Sequence, residues 1–226
     1  MNTEAKAGNG TLDPNRWNAA GRPTYIKNTA LHFLAACFLA AASSVTAADI
    51  TPDAMVKSTV EEVLTVIKQN KDKKALRQLA EQKVLPHFDF KHMTQLAMGA
   101  AWRQANPAQQ LALENSFRTL LVNIYTAALS MSSSGNQTVE IKSGPAKTDG
   151  NEVTVKTVMK DTGKEPVAID YHMERLADGW KVYDVVVENL SLITNYRGTF
   201  ATEVNRSGID GLIKVLEEKN QTLAKN

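Results

Sequence analysis

The sequence predicts an α+β domain: a four-stranded antiparallel meander sheet with several α-helices packed over it. Three observations predict it. From Thr51 to Ser130 apolar residues recur at helical spacing; from Val139 to Val187 they alternate with a period of two; beyond Asn189 helical spacing returns. Short turns between consecutive strands favour antiparallel pairing. Helices grouped beside such a sheet, rather than interleaved with its strands, mark α+β.

The stretch from Pro166 to Phe200 organises the rest. Val167, Ile169, Tyr171 and Met173 alternate with Ala168, Asp170, His172 and Glu174, so one strand face turns toward a core. Asp178-Gly179 supplies a hairpin turn, because Gly accepts the positive φ such turns need. Trp180 to Glu188 is a second strand, apolar on nearly both faces and so expected to be covered on both. Ile193, Tyr196, Phe200 and Val204 are then spaced for one helical face.

The other elements follow in order. Thr51-Pro52-Asp53 is a helix start, with a capping side chain, Pro in the first turn and an acid. Val56, Val60, Val63, Leu64 and Ile67 form that helix's stripe. A second helix carries Leu76, Leu79, Ala80 and Val84 and stops near Pro86; a third carries Met93, Leu96, Ala97 and Ala100. Asn106-Pro107 opens a long helix whose inner side holds Leu113, Phe117, Leu120, Leu121, Ile124, Tyr125 and Ala128, and which ends at residues 132–136. Val139 with Ile141, and Val153 with Val155, Thr157 and Met159, give two strands; Asp149-Gly150 and Asp161 to Lys164 give turns. Ser207 starts a last helix with Ile209, Leu212, Ile213 and Leu216.

Residues 1–48 read as a secretory signal and 49–226 as one domain. The apolar run Thr29–Val45 follows Arg16, Arg22 and Lys27, is short for a membrane span, and ends in small residues that suit cleavage after Ala47 or Ala48. Leu34-Ala35-Ala36-Cys37 resembles a lipoprotein signal, but the run stays apolar through Phe38 and Leu39, so a soluble product is expected and an acyl anchor is the alternative. Cys37 is the sole cysteine, which leaves the mature chain without disulfides and dependent on an ordinary core. Losing Lys6, Arg16, Arg22 and Lys27 leaves 22 of 26 basic residues; losing Glu4 and Asp13 leaves 22 of 24 acidic ones. That balance argues against nucleic acid and against a polybasic membrane grip.

Chemical motifs are lacking: the sequence holds no Cys cluster, H-E-x-x-H, P-loop or G-x-S-x-G. His87, Asp89 and His92 could be read as metal ligands, but the histidines are five apart and Asp89 fits the N-cap of the next helix, so no metal is expected. Asp170, His172 and Glu174 share an outer strand face, which a solvated sheet also produces. Asp184 has apolar neighbours and needs a partner, most simply a structural hydrogen bond.

Several segments stand out in order: Val84-Leu85-Pro86-His87-Phe88-Asp89-Phe90 with Met93, Leu96 and Gly99; Trp102-Arg103; Phe117-Arg118 with Leu120, Leu121 and Tyr125; Gly179 to Glu188; Ser191-Leu192; Asn195-Tyr196-Arg197 with Phe200; and Gly211-Leu212-Ile213. Together they resemble the MlaC family of phospholipid-binding, toluene-tolerance auxiliary proteins. The resemblance spans about Thr51 to Asn220. It implies a monomeric periplasmic carrier, without catalytic residues or cofactor, that holds phospholipid in an apolar cavity between sheet and helices. It further implies exchange with an inner-membrane ABC transporter complex and an outer-membrane lipoprotein-porin complex, and so maintenance of outer-membrane lipid asymmetry. The alternatives are a small enzyme of the nuclear-transport-factor-2-like type and a ligand-free adaptor. Patterning nominates Val167, Ile169, Tyr171, Met173, Val182 and Val185 from the sheet, with Leu121, Tyr125, Tyr196 and Phe200 from helices, as the lining of an acyl-chain pocket. Periodicity does not distinguish a filled core from a lined cavity.

Overall fold

The computed structural model describes residues 50–131, 136–142 and 150–225. The expected signal segment, the turn residue Asp149 and the expected helix end at 132–135 lie outside the described residues. Helix α1, Pro52–Gln69, starts at Thr51, whose hydroxyl accepts from the Ala54 N–H at 3.3 Å. Helix α2, Lys73–Leu79, is capped by Asp72, which accepts from Lys74 and Ala75 at 3.0 Å each. It winds into a π-helical turn over Ala80–Val84 and a tight turn over Leu85–His87 that contains Pro86. Asp89 caps α3, Phe90–Met98, by accepting from the His92 N–H at 2.8 Å. A 3₁₀ segment follows over Gly99–Gln104. Asn106 and Gln109 cap α4, Pro107–Met131, reciprocally, at 2.9 and 3.0 Å, an arrangement that satisfies two orphan donors at once.

The sheet is an antiparallel meander, with β1 Thr138–Ile141, β2 Glu152–Lys160, β3 Val167–Leu176, β4 Gly179–Val187 and β5 Leu190–Ser191 in spatial order. The α+β class holds, and the sheet has five strands where the sequence predicted four. Glu188 and Asn189 adopt φ of 48° and 66°, the twist of a two-residue hairpin, and turn Leu190-Ser191 back beside Val186 and Val187. Two residues are too few for alternation to show. β4 is buried fully at Val182 and half-buried along most of its length, less covered than its apolar sequence predicts.

Helix α5, Leu192–Lys225, is continuous with the hairpin and is broken at Gly208, where φ of 74° and ψ of −177° require a residue without Cβ. The break stands beside Ser207, where the sequence starts a separate helix. Asp184 is the anchor of this element. Its carboxylate accepts from Ser191 Oγ at 2.6 Å and from the N–H groups of Val185 and Ile193 at 2.8 and 3.2 Å; Ser191 Oγ in turn accepts from the Thr194 N–H at 3.0 Å. A carboxylate facing the first N–H groups of a helix also complements its dipole.

Apolar residues collect in two clusters. One joins α3, α4 and α5 through Met93, Leu113, Phe117, Leu120, Phe200 and Leu212; the other joins α1 to the sheet through Met55, Val56, Val153, Val155, Met173 and Val182. Phe88 packs against both. Beside it the Asp89 N–H donates to the Val182 carbonyl at 2.9 Å, stitching the start of α3 to β4. Asp184→Ala removes the acceptor shared by three donors and is expected to cost about 2 kcal/mol, read as a lower urea midpoint with an unchanged slope.

Candidate functional site

Between the two clusters lies a cavity of about 820 Å³. For scale, an apolar cavity of about 150 Å³ is enough to bind benzene. Helix α1 contributes Val56, Val60, Val63, Leu64 and Ile67; the chain from α2 to α3 adds Leu76, Ala80, Val84, Leu85, Phe88, Phe90 and Met93. Helix α4 adds Leu121, Val122, Tyr125 and Leu129, and the sheet adds Met159, Ile169, Tyr171, Val182, Val185 and Val187. Among the described residues the lining holds no Asp, Glu, Lys or Arg. The opening is marked by Leu190, 76% exposed, and Tyr125, 48% exposed, with the uncharged Asn189, Thr194 and Asn195 beside them.

Local structure explains why these side chains converge. Val182 and Val185 are three apart, so a regular strand would send them to opposite faces. A bulge opposite His172/Met173 leaves Tyr183 without a partner in the register, pairs Val182 with Met173 and Val185 with Tyr171, and turns both valines inward. Tyr183 is displaced to the outer face, where its ring stacks on His92 at 4.8 Å. On α4 the spacing Leu121, Val122, Tyr125, Leu129 faces the sheet, while Leu113, Phe117 and Leu120 face α5.

The polar groups of the wall are few and neutral. Burial pushes the Tyr171 hydroxyl up to about 12, so it remains a protonated donor. Burial, aided by the positive charge of Lys181, lowers His87 below its usual range, and its imidazole stands uncharged at neutral pH. The remaining groups of the suspected metal trio serve structure: Asp89 caps α3, and His92 Nδ1 meets Glu174 Oε1 at 2.5 Å. Asp170, His172 and Glu174 lie on the face of β3 away from the cavity, Asp170 beside Lys156 at 3.9 Å and His172 against the Tyr183 ring. A charge-free apolar wall can solvate hydrocarbon and leaves any charged part of a ligand outside.

Comparison with known proteins agrees with this geometry. Residues 57–218 match the MlaC protein family. The chain belongs to the MlaC family. A Haemophilus influenzae relative, the intermembrane phospholipid transport system binding protein MlaC, is 22% identical over 84% of this chain and 91% of its own. The toluene tolerance protein ttg2D of Pseudomonas putida is 29% identical over 76% of this chain and 81% of its own. The solved structure of a phospholipid-binding protein from Ralstonia solanacearum, in complex with a phospholipid, is 39% identical, with a TM-score of 0.69, and covers 78% of this chain and 99% of its own.

Within this MlaC-family fold, the structure brings Ile169, Tyr171, Val182, Val185, Leu121 and Tyr125 of the nominated residues to the cavity wall. It places the other four elsewhere. Met173, 0% exposed, is covered by α1 in the sheet cluster, and Phe200, 1% exposed, packs edge-on against Phe117 at 5.1 Å. Tyr196 meets the same Phe117 ring at 4.9 Å, because α5 fills the helical core instead of facing the sheet. Val167 opens β3, half-buried outside the lining. Sequence reasoning missed α1 as a wall, although its whole stripe was legible. The signal it lacked was depth: a stripe that buries against a core and one that borders a void have the same period.

Wall and core respond differently to added volume. In ligand-free protein, Ile169→Trp is expected to shift the urea midpoint little, whereas Met173→Trp, with no room, should cost about 1–3 kcal/mol or more. Parallel denaturant melts of the two variants decide it.

Proposed function

We propose that this chain is a periplasmic phospholipid carrier that shuttles lipid between the outer membrane and an inner-membrane ABC transporter complex. The observation that carries the reading is the open apolar cavity, bordered by sheet and helices and, among the described residues, lined by no Asp, Glu, Lys or Arg. The neighbours' names point the same way: one relative is the binding protein of an intermembrane phospholipid transport system, and the Ralstonia protein is in complex with a phospholipid. Among the described residues no helix is long and apolar enough to cross a membrane, which suits a carrier that leaves one surface for another.

The energetics fit exchange. Two acyl chains of ~16 carbons gain roughly 25 kcal/mol on leaving water, at about 0.8 kcal/mol per methylene. Measured against a bilayer or a partner's apolar channel, that gain nearly cancels. Transfer in either direction is then cheap, while escape of free lipid into water is negligible. The proposed acyl-chain contacts are Leu121, Tyr125, Ile169, Tyr171, Val182 and Val185, joined by the α1 stripe. A soluble product follows from cleavage after residue 47 or 48; exchange partners in both membranes and a monomeric state belong to the same reading. No catalytic group or cofactor is required of it.

Native mass spectrometry of protein purified from the envelope, followed by lipid extraction, tests this. The expected spectrum shows protein carrying phospholipid at one molecule per chain. A homogeneous lipid-free spectrum, with no phospholipid taken up from vesicles, would overturn the proposal.

A further inference from the structure

A second concavity adjoins the acyl cavity and differs from it in chemistry. It is a groove of about 330 Å³ between α2 with its π-helical extension and α4. Arg77, Glu81 and Leu85 recur four apart along one wall; Asn115, Arg118, Thr119 and Val122 line the other. Leu85 and Val122 also line the acyl cavity, so the two spaces adjoin at these side chains.

The two arginines are placed and under-used. Arg77, half-buried, donates through Nη2 to Asn123 Oδ1. Asn123, 5% exposed, donates to Asn220 Oδ1 at 3.4 Å, and Asn220 donates to the Ser116 carbonyl at 2.8 Å, a chain that fixes the guanidinium from below. Arg118 lies over the Phe90 ring, 5.7 Å from its centroid, and Phe90 itself borders the acyl cavity. A guanidinium has five N–H donors in a planar fork. Among the described residues Arg77 uses this one side-chain partner, and neither arginine forms an ion pair; Glu81 borders the same groove and pairs with neither. Two cations therefore face one carboxylate, with the Asn115 side-chain amide beside them as a further donor; the Thr119 hydroxyl donates to the Asn115 carbonyl at 2.8 Å.

We propose that this groove is a phosphate site, in which Arg77 and Arg118 grip the oxygens of a phosphate group while apolar chains occupy the adjoining cavity. Guanidinium forks match phosphate geometry and lose little order in binding it. Among the described residues the lining of the acyl cavity holds no Lys or Arg to receive such a group, and the adjoining groove supplies two arginines. The inference rests on the carrier reading for its lipid source; a free phosphate ion offers the same oxygens and is the other source.

The test uses delipidated full chain and two detergent-dispersed probes with identical acyl chains, phosphatidylglycerol and diacylglycerol, together with inorganic phosphate followed by phosphorus-31 NMR. Wild type is expected to prefer phosphatidylglycerol, and Arg77→Gln with Arg118→Gln to lose that preference by roughly tenfold or more, as removal of charge-assisted bonds implies, with diacylglycerol uptake within about twofold. Arg118→Gln alone changes an exposed residue, so its partial loss guards against misfolding of the double variant; Arg118→Lys should recover part of it. If the double variant loses inorganic phosphate binding while its lipid preference is unchanged, the site is upheld and free phosphate is its source. A wild type without phosphatidylglycerol preference or phosphate binding, or a double variant equal to wild type in both, overturns the proposal. Failure of wild type to take up either lipid would refute the carrier reading separately, with the phosphate titration still deciding the site.

Discussion

The join between β4 and the helical layer is the constraint on which this structure depends. It consists of the Asp89 N–H on the Val182 carbonyl, Phe88 wedged between the two clusters, and Asp184 holding the first turn of α5. Along that line helices and sheet are in contact. On the far side α1 closes onto β1 and β2. Between these two seams lies the cavity. The bulge at Tyr183 serves the same geometry, since it keeps Val182 in contact at the seam while turning Val185 into the open space.

Such a space is expensive to keep empty. At ~24 cal/mol per Å³, a sealed void of this size would cost on the order of 20 kcal/mol. That exceeds the roughly 5–15 kcal/mol by which a whole domain is stable. A fold can hold it because the cavity opens beside Leu190 and Tyr125, and because an occupant restores the missing contacts. The centre of the helical core lies away from the cavity: Phe117, Tyr196 and Phe200 form their own edge-on aromatic group, while Phe90, Met93 and Leu121 at its border also line the cavity.

Much of this was legible in the sequence. Thr51, Asp89 and Asn106 each announced a helix start and each caps one; Asp161 to Lys164 closes its turn, with the Lys164 N–H on the Asp161 carbonyl at 3.1 Å. The need of Asp184 for a partner was evident from its neighbours, though not that the partners would be Ser191 and the start of α5. What periodicity could not supply was the third dimension. Met173 and Ile169 share a strand face, yet one meets α1 and the other meets the void, a distinction set by where a helix crosses. Tyr196 and Phe200 mark the inner side of α5 correctly, but inner there means toward α4. The two-residue β5 and the Arg77–Arg118 groove were invisible for related reasons: one is too short to alternate, and the other is assembled from residues 41 apart in sequence.

The central claim is that acyl chains occupy the space between α1, α4 and the sheet. A phospholipid with a photoactivatable diazirine on the terminal carbon of one chain tests it directly, with residue-level mapping of the adducts by mass spectrometry. The account predicts labelling within the α1 stripe from Val56 to Ile67 and at the cavity-facing positions from Val84 to Met93. Labelling concentrated on the outer sheet face around Asp170 and His172, or spread over exposed surfaces as in denatured protein, would contradict it.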